Sequence, residues 1–453
     1  MKKKKILLLS DDLRMSSGVG TVSKEFVLGT IEHYDWAQIG GAIKHPDEGK
    51  VMDMKDALKD DFGLDEGYLK IYPSSGYGNP DMLRSIMRLE KPDALMIYTD
   101  PRFWMWLYQM EREIRSQIPI FYYNIWDDLP YPMWNEPFYE SCDLLMNISK
   151  QTVNIVKNVR QNKPVEDWQC TYVPHGINSD DFKPIDETDA KYVQFRDELY
   201  QDNEYSFIVY FNNRNIRRKN PGDVLLAFKT FTDKLSEEER KECALVMHTH
   251  PVDNNGTDLP AVAEALMPDL NVIFSGGKLD TDQMNFLYNI ADITINIASN
   301  EGFGLGSAEA LTVSTPIIIN VTGGLQDQCG FTNDDGELLV PEDYVELGSN
   351  HRGRYKNHGK WVKPVYPTNV SLQGSPPTPY IWDDRCKPED VAPLLREFYD
   401  MGRKKRKKLG SLGTKFCKEN HMTAEAMGQN FINSMNGAFE NWKPSKRYTM
   451  EKI

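Results

Sequence analysis

The sequence predicts an α/β protein made of two doubly wound, parallel-sheet (Rossmann-like) domains, and three observations carry that expectation. The chain has 453 residues, more than one hydrophobic core ordinarily supports, so two domains of about 150 to 250 residues are expected. Short apolar runs rich in β-formers alternate with segments of helical spacing, as parallel strands covered on both faces require. The alternation stops at a polar stretch near 179–204 and then begins again, as it does where a second domain starts.

In the first half the expected strands are "KILLLS" (5–10), "AQIGGAI" (37–43), "DALMIYT" (93–99), "IPIFYYN" (118–124), "DLLMNIS" (143–149) and "CTYVPHG" (170–176), with helices such as 21–33 and 102–115 between them. After "PHGINSDDFKP" come "FIVYFNN" (207–213), "ALVMHTH" (244–250), "NVIFSGG" (271–277), "DITINIA" (292–298) and "TPIIINV" (315–321). The expected limits are 1–178 for the first domain and 179–423 for the second, with an insertion at 332–385 whose turn formers, "GSPPTPYIWDD" among them, read as irregular. Residues 424–453 carry a last amphipathic helix (424–442), in which Met427, Phe431, Met435 and Phe439 recur every fourth residue.

At 40% hydrophobic and 26% charged residues, the composition is that of a globular protein. No apolar run approaches the roughly 20 residues that span a bilayer. The basic start "MKKKKILLLSDD" has only a short apolar core and no small-residue cleavage site, so it reads as a first strand rather than a signal peptide. Six scattered cysteines without C-x-x-C spacing argue against zinc and disulfide frameworks and for a reducing, cytoplasmic setting. A formal net charge of −14 opposes nonspecific attraction to nucleic acid or anionic membranes, although local basic patches can overrule it.

Several motifs sit at strand ends. "SSGVG" (16–20) follows the first strand and opens a helix, so Gly18 and Gly20 either admit a ligand to the helix amino end or serve close packing. In "NNRNIRRKNP" (212–221), Arg214 and Lys219 converge on a diphosphate or form a solvated basic turn. "SNEGFGLGSAEAL" (299–311) places Gly302, Phe303, Gly304 and Gly306 in a tight loop between Glu301 and Glu309. A carboxylate beside phosphate is repulsive, so both glutamates suit sugar hydroxyls, or Glu309 simply favours the helix dipole. His248 and His250 share a strand face, but without acidic or cysteine partners they make a polar pair rather than a metal site.

E-x(7)-E at 301–309, R-x(4)-K at 214–219, "SSGVG" and "YVPHGIN" at the domain seam resemble, in that order, the retaining family 4 glycosyltransferases (glycosyl transferases group 1) of GT-B fold. The resemblance covers most of the chain outside 332–385. It implies an acceptor-side first domain, a donor domain after it, and a last helix that returns to the first. It also implies a UDP- or GDP-sugar donor, with Arg214 and Lys219 on the diphosphate, Glu301 near the transferred sugar and Glu309 at the ribose. Gly18, Gly20, Gly302, Phe303, Gly304 and His175 would line the donor site, and Gly323 and Gly324 of "TGG" would offer backbone amides. Neither a cofactor nor a metal is required in such enzymes. Where many relatives carry a histidine, this chain has "YNIWDDLPYPMW" (123–134), so Asp127 or Asp128 stabilises charge or orients the acceptor there, or else caps a loop.

The acceptor is open at this level. "HRGRYKNHGKWVKP" (351–364) offers Arg352, Arg354, Lys356 and Trp361 in an acidic protein, a mixture that suits phosphates and stacked bases or, alternatively, a solvated insertion. The phrasing of "WDDLPYPMWNEPFYESCD" (126–143) and "GSPPTPYIWDD" (374–384) resembles glycosyltransferases of tailed phages, some of which modify hydroxymethylated pyrimidines in DNA. In a phage protein the setting would be the host cytoplasm. Glycan, lipid and small-molecule acceptors stay open beside DNA, as does a non-catalytic sugar-nucleotide-binding protein. The run "RKKRKK" (403–408) reads as the exposed face of a helix. Oligomeric state is not legible.

Overall fold

The computed structural model describes residues 2–275, 277–344, 351 and 353–445. The chain divides into two compact units: one of Met1–Trp126, Tyr131–Gly176 and the chain from Ala424 onward, the other of Asp127–Pro130 and Ile177–Thr423.

The first unit holds an eight-stranded sheet of β1 (Lys4–Asp11), β2 (Tyr34–Ala42), β3 (Met52–Asp53), β4 (Leu69–Ser75), β5 (Ala94–Tyr98), β6 (Ile120–Asn124), β7 (Leu144–Asn147) and β8 (Cys170–Tyr172). Its order is β3-β4-β2-β1-β5-β6-β7-β8, parallel throughout except where β3 meets β4. Ile6 to Leu9 of β1 are fully buried, which is why that strand reads as an unbroken apolar run rather than an alternation. Ser17 caps the following helix, Gly18–Thr30, by accepting from the Gly20 amide. The helix Ala424–Asn441 lies on this same unit, with the Phe431 ring 4.7 Å from that of Phe26 and 4.8 Å from that of Tyr123. Gly29 and Gly428 let the two helices approach, since a Cβ at 428 would lie 3.0 Å from the Gly29 carbonyl oxygen.

The second unit holds six parallel strands, β9 (Phe207–Asn212), β10 (Cys243–His248), β11 (Asn271–Phe274), β12 (Ile293–Asn296), β13 (Ile317–Asn320) and β14 (Val362–Val365), in the order β11-β10-β9-β12-β13-β14. An antiparallel hairpin of β15 (Asn369–Ser375) and β16 (Thr378–Arg385) follows. Both units are thus doubly wound.

Three expectations need correction, and β4 is a strand the sequence does not lead us to expect. The stretch 332–385, read as irregular, contains β14 and the hairpin; Pro364 in "VKPV" disguises an edge strand, where a missing N–H is tolerated. Pro73 likewise interrupts the apolar run of β4, which lies between β3 and β2 and pairs with β3 at Lys70 and Ile71, short of the proline. The helix expected over 102–115 is broken into the short turns Pro101–Trp104, Met105–Tyr108 and Glu111–Arg115. The run 403–408 does lie on a helix (Arg403–Glu419), with Lys404, Lys405 and Lys408 exposed as expected, but not all of it faces solvent. Arg406 is 2% exposed, and its guanidinium clamps one oxygen of buried Asp292 at 3.0 and 2.7 Å. Lys407 donates to the Asn289 carbonyl, and burial pulls its ammonium down to about 8. Among the described residues no helix is long and apolar enough to cross a membrane.

Candidate functional site

Strand order in the second unit reverses between β9 and β12, and open α/β sheets bind ligands beyond the carboxyl ends of the strands at such a point. The basic motif follows β9 and the glutamate–glycine motif follows β12. Arg217–Lys219 form one tight turn, Asn220 adopts a left-handed φ of 51°, and Pro221 starts the next helix. Two bonds stitch the loops together: Asn220 Nδ2 donates to the Ile297 carbonyl at 3.0 Å, and the Ser299 amide to the Arg218 carbonyl at 2.8 Å.

Within this frame the charged groups gather. Lys219 is buried with its ammonium on the Glu301 carboxylate. Burial disfavours both charges, pulling the Lys219 ammonium down, whereas Lys219 and Arg218 together more than offset burial at Glu301 and hold its carboxyl below the usual range. Arg218 Nη1 donates to the Asn300 carbonyl at 2.7 Å. Asp127 and Asp128 belong to this unit. The Asp128 carboxyl accepts from Asn300 Nδ2, and the Leu129 carbonyl accepts from the Trp382 amide of β16 at 2.7 Å. Burial pushes both aspartates up. Arg218 opposes this at Asp127 and Glu301 adds to it; at Asp128 the neighbouring Asp127 adds most after burial. Burial and the neighbouring carboxylate thus disfavour the charged form at both, at Asp128 most of all.

Arg214 is placed elsewhere. Its side chain is 62% exposed and lies 3.6 Å from Asp253, while neighbouring Asn215 is buried and ties the loop to the carbonyls of His250, Pro251 and Thr257. Arg218 is the cation that reasoning on R-x(4)-K passed over, although "RRK" put it next to Lys219. Glu309, on the helix Leu305–Thr312, accepts from the Tyr288 hydroxyl at 2.5 Å, and that hydroxyl accepts from Asn212 at 2.7 Å.

The glycines serve close backbone packing. Gly304 sits at φ +86° and Gly323 at +48°, while a Cβ at Gly324 would fall 1.9 Å from the Gly302 carbonyl oxygen. The Gly324 amide donates to the Glu301 carbonyl at 2.8 Å. Phe303 is buried, its carbonyl taken by Gln328 at 2.6 Å. A Cβ at Gly20 would lie 2.5 Å from the Met15 carbonyl oxygen, and Gly18 opens the capped helix. His175 is buried in the first unit, where the Tyr123 hydroxyl meets its Nδ1 at 2.7 Å and the Tyr98 hydroxyl lies 3.5 Å from its Nε2.

The described residues of 351–364 are divided between buried and exposed positions. Trp361 is half-buried in the second unit, its ring 4.7 Å from that of Phe416 and its indole N–H donating to the Gln328 carbonyl at 3.0 Å. Tyr355 is buried and Lys363 pairs with Glu397. Arg354 and Lys356 are exposed, over the rings of Tyr355 and Tyr366; Arg352 lies outside the described residues. His248 Nδ1 meets the Ser275 hydroxyl at 2.9 Å, His250 is exposed, and among the described residues no three His, Cys, Asp or Glu side chains gather as metal ligands.

Burial raises the Glu309 carboxyl to about 7, against the pull of the Tyr288 hydroxyl. A carboxyl raised in the folded state contributes stability that is complete below its ordinary value of 4.5 and lost as pH climbs through about 7. Glu309→Gln should therefore melt above the wild type at pH 8, and the gap should close toward pH 5. A constant gap across a pH series of thermal melts would contradict this.

Three comparisons place this geometry among known proteins. No curated protein matches the sequence. The structure is similar to a glycosyltransferase from Rickettsia africae (TM-score 0.65, 14% identity, 97% of this chain and 100% of that one). It is similar to sucrose-phosphate synthase from Thermosynechococcus elongatus (TM-score 0.66, 13% identity, 97% and 100%). It is also similar to Anabaena HepE in complex with UDP and glucose (TM-score 0.64, 10% identity, 96% and 100%). At these identities the likeness is one of fold, and that fold is GT-B. Residues 195–348, which hold the basic turn, both glutamates and the glycine turn, match the family described as Glycosyl transferases group 1, so the second unit carries a domain of that kind.

Proposed function

We propose that the protein is a retaining glycosyltransferase that moves a sugar from a UDP- or GDP-sugar to an acceptor hydroxyl. The observation that carries this reading is the set Arg218, Lys219, Glu301 and Asp127 at the switch point of the unit that matches the family. When the bond from the anomeric carbon to the diphosphate breaks, negative charge grows on the departing phosphate, and two cations held beforehand, Lys219 buried on Glu301 and Arg218 on the Asn300 carbonyl, stabilise it. Arg214, at the exposed rim, adds a third contact to the same diphosphate. An arriving diphosphate competes with Glu301 for Lys219 and leaves the Glu301 carboxylate to accept bonds from sugar hydroxyls. Asp127 opposes positive charge on the sugar ring. A phosphate oxygen of the donor assists the incoming hydroxyl, so the sugar keeps its anomeric configuration, and no metal is called for. Backbone amides of the 302–304 turn and that of Gly323 complete the pocket.

For the acceptor, the packing of Trp361 against Phe416 and the net charge of −14 favour a glycan, lipid or small-molecule hydroxyl over hydroxymethylated DNA. The experiment is transfer of labelled sugar from a donor panel to simple glycans and to hydroxymethylated DNA across a salt series, with the product anomer read by NMR. Retention with a glycan and little salt dependence is the expected result. An inverted product removes the retaining reading, and incorporation into DNA that falls steeply with salt restores the nucleic-acid acceptor.

Glu309 is proposed to hold ribose hydroxyls. Its carboxyl is a full acceptor only when ionised, so donor KM should rise severalfold as pH falls from 8 to 6 through its value of about 7. Glu309→Gln should show a raised KM without that pH dependence; a wild-type slope kept in the variant would reassign the residue.

A further inference from the structure

Asn300 precedes Glu301 and is 4% exposed. Its side-chain amide donates both to the Asp128 carboxyl and, at 2.7 Å, to the Trp382 carbonyl of β16. Its side-chain oxygen accepts from Ser299 at 3.2 Å, and its own carbonyl accepts from Arg218. β16 adds further ties: the Asp384 amide donates to the Ser299 carbonyl at 3.3 Å, Asn320 donates to the Asp384 carbonyl at 2.8 Å, and the Thr322 hydroxyl donates to the Asp384 carboxylate at 3.0 Å. The hairpin thus braces the loops after β12 and β13 and the segment 127–130, and the side-chain amide of Asn300, in the loop after β12, joins it to Asp128.

We propose that Asn300 is a positioning residue: it clamps Asp128 to β16 and thereby holds the adjoining Asp127 beside Arg218 and Glu301. This rests on the glycosyltransferase reading for its catalytic consequence, though not for its geometry. An amide has two N–H donors and both are used here. Serine supplies one, alanine none, and aspartate none while adding a charge. The groups facing the aspartate pair are Arg218, Lys219 and Glu301 on the site loops, Asp384 on β16 and Asn300 itself.

The test joins kinetics to amide exchange. Asn300→Ala should lower kcat about tenfold or more while donor KM stays within about threefold, because the lost bonds are to a group near the reacting centre and not to the donor. Asn300→Ser should recover part of the loss. The acid limb of the kcat profile should move up in Asn300→Asp, which adds a carboxylate, and down in Asp384→Asn, which removes one. Well below the melting temperature, segments 127–130 and 378–385 should exchange faster in Asn300→Ala than in the wild type. Wild-type kcat in Asn300→Ala overturns the proposal, as does an equal fall in all variants without a shift of the limb. If the wild type transfers no sugar to any acceptor, the glycosyltransferase reading fails. Exchange then decides the positioning role alone: faster exchange of both segments upholds it and unchanged exchange removes it.

Discussion

Lys219→Ala and Arg218→Ala should each reduce kcat/KM for the donor by about a hundredfold or more, the scale of losing one preorganised charge donor at a reacting centre. Lys219 is the harder case to interpret, because its ammonium also neutralises buried Glu301. Removing one partner of a buried pair costs about 3–5 kcal/mol of stability, so the single variant should melt early as well as turn over slowly. The double variant Lys219→Ala with Glu301→Gln separates the two effects. It removes the stranded charge, so the melting temperature should recover while transfer stays lost. Recovery of transfer along with stability would make the pair a structural salt bridge and nothing more. Arg214→Ala should act differently, since an exposed guanidinium held only by a 3.6 Å contact to Asp253 binds ground and transition states alike. Its loss should appear mostly as a donor KM raised about tenfold or more. Steady-state kinetics on the four variants check the assignment, and unchanged kcat/KM in both Arg218→Ala and Lys219→Ala would refute it.

What the sequence displayed and what it hid follow from one physical distinction. Strands buried on both faces, such as β1, β9 and β12, announce themselves as continuous apolar runs. Two such runs separated by a basic turn, or followed by glycines and a glutamate, suffice to locate a switch point. Edge strands carry no such mark: β14 contains Pro364, β15 is largely exposed, and β16 is mostly half-buried and mixes Pro, Tyr, Ile and Trp with charged residues. The hairpin is nevertheless what brings Asp384 and the Trp382 carbonyl to the loops after β12 and β13. That contact depends on a fold 85 residues downstream of Ser299, and no local pattern encodes it. Charge was the least reliable guide. Arg406 sits in a run of six cations and is buried because Asp292 lies opposite, while in the basic motif Arg214 and Arg218 are exposed and Lys219, on Glu301, is buried. Which cation of a cluster turns inward is set by the partner that the fold supplies.

Deleting the chain from Ala424 onward should prevent the first unit from folding cooperatively. Met427, Phe431, Met435 and Ala438 of the helix Ala424–Asn441 are all fully buried, and the Phe439 ring lies 5.4 Å from that of Phe121 in β6. Truncating one large buried side chain to alanine costs about 2–5 kcal/mol. Losing three of them at once therefore rivals the whole stability of an ordinary domain, about 5–15 kcal/mol. The surface uncovered includes Phe26 and Tyr123, which would face water as an apolar patch and promote aggregation. Phe431→Ala provides the graded version, because the ring touches both the helix Gly18–Thr30 and β6; it should cost about 3–5 kcal/mol in denaturant unfolding of the full chain. The glycine contact gives an independent check, since Gly428→Leu would drive a side chain into the Gly29 carbonyl, 3.0 Å from where its Cβ must stand. That variant should destabilise the unit without removing any apolar surface. A truncated protein that unfolds with the same midpoint and the same denaturant slope as the full chain would show that the helix is an appendage, and that the core of the first unit closes without it.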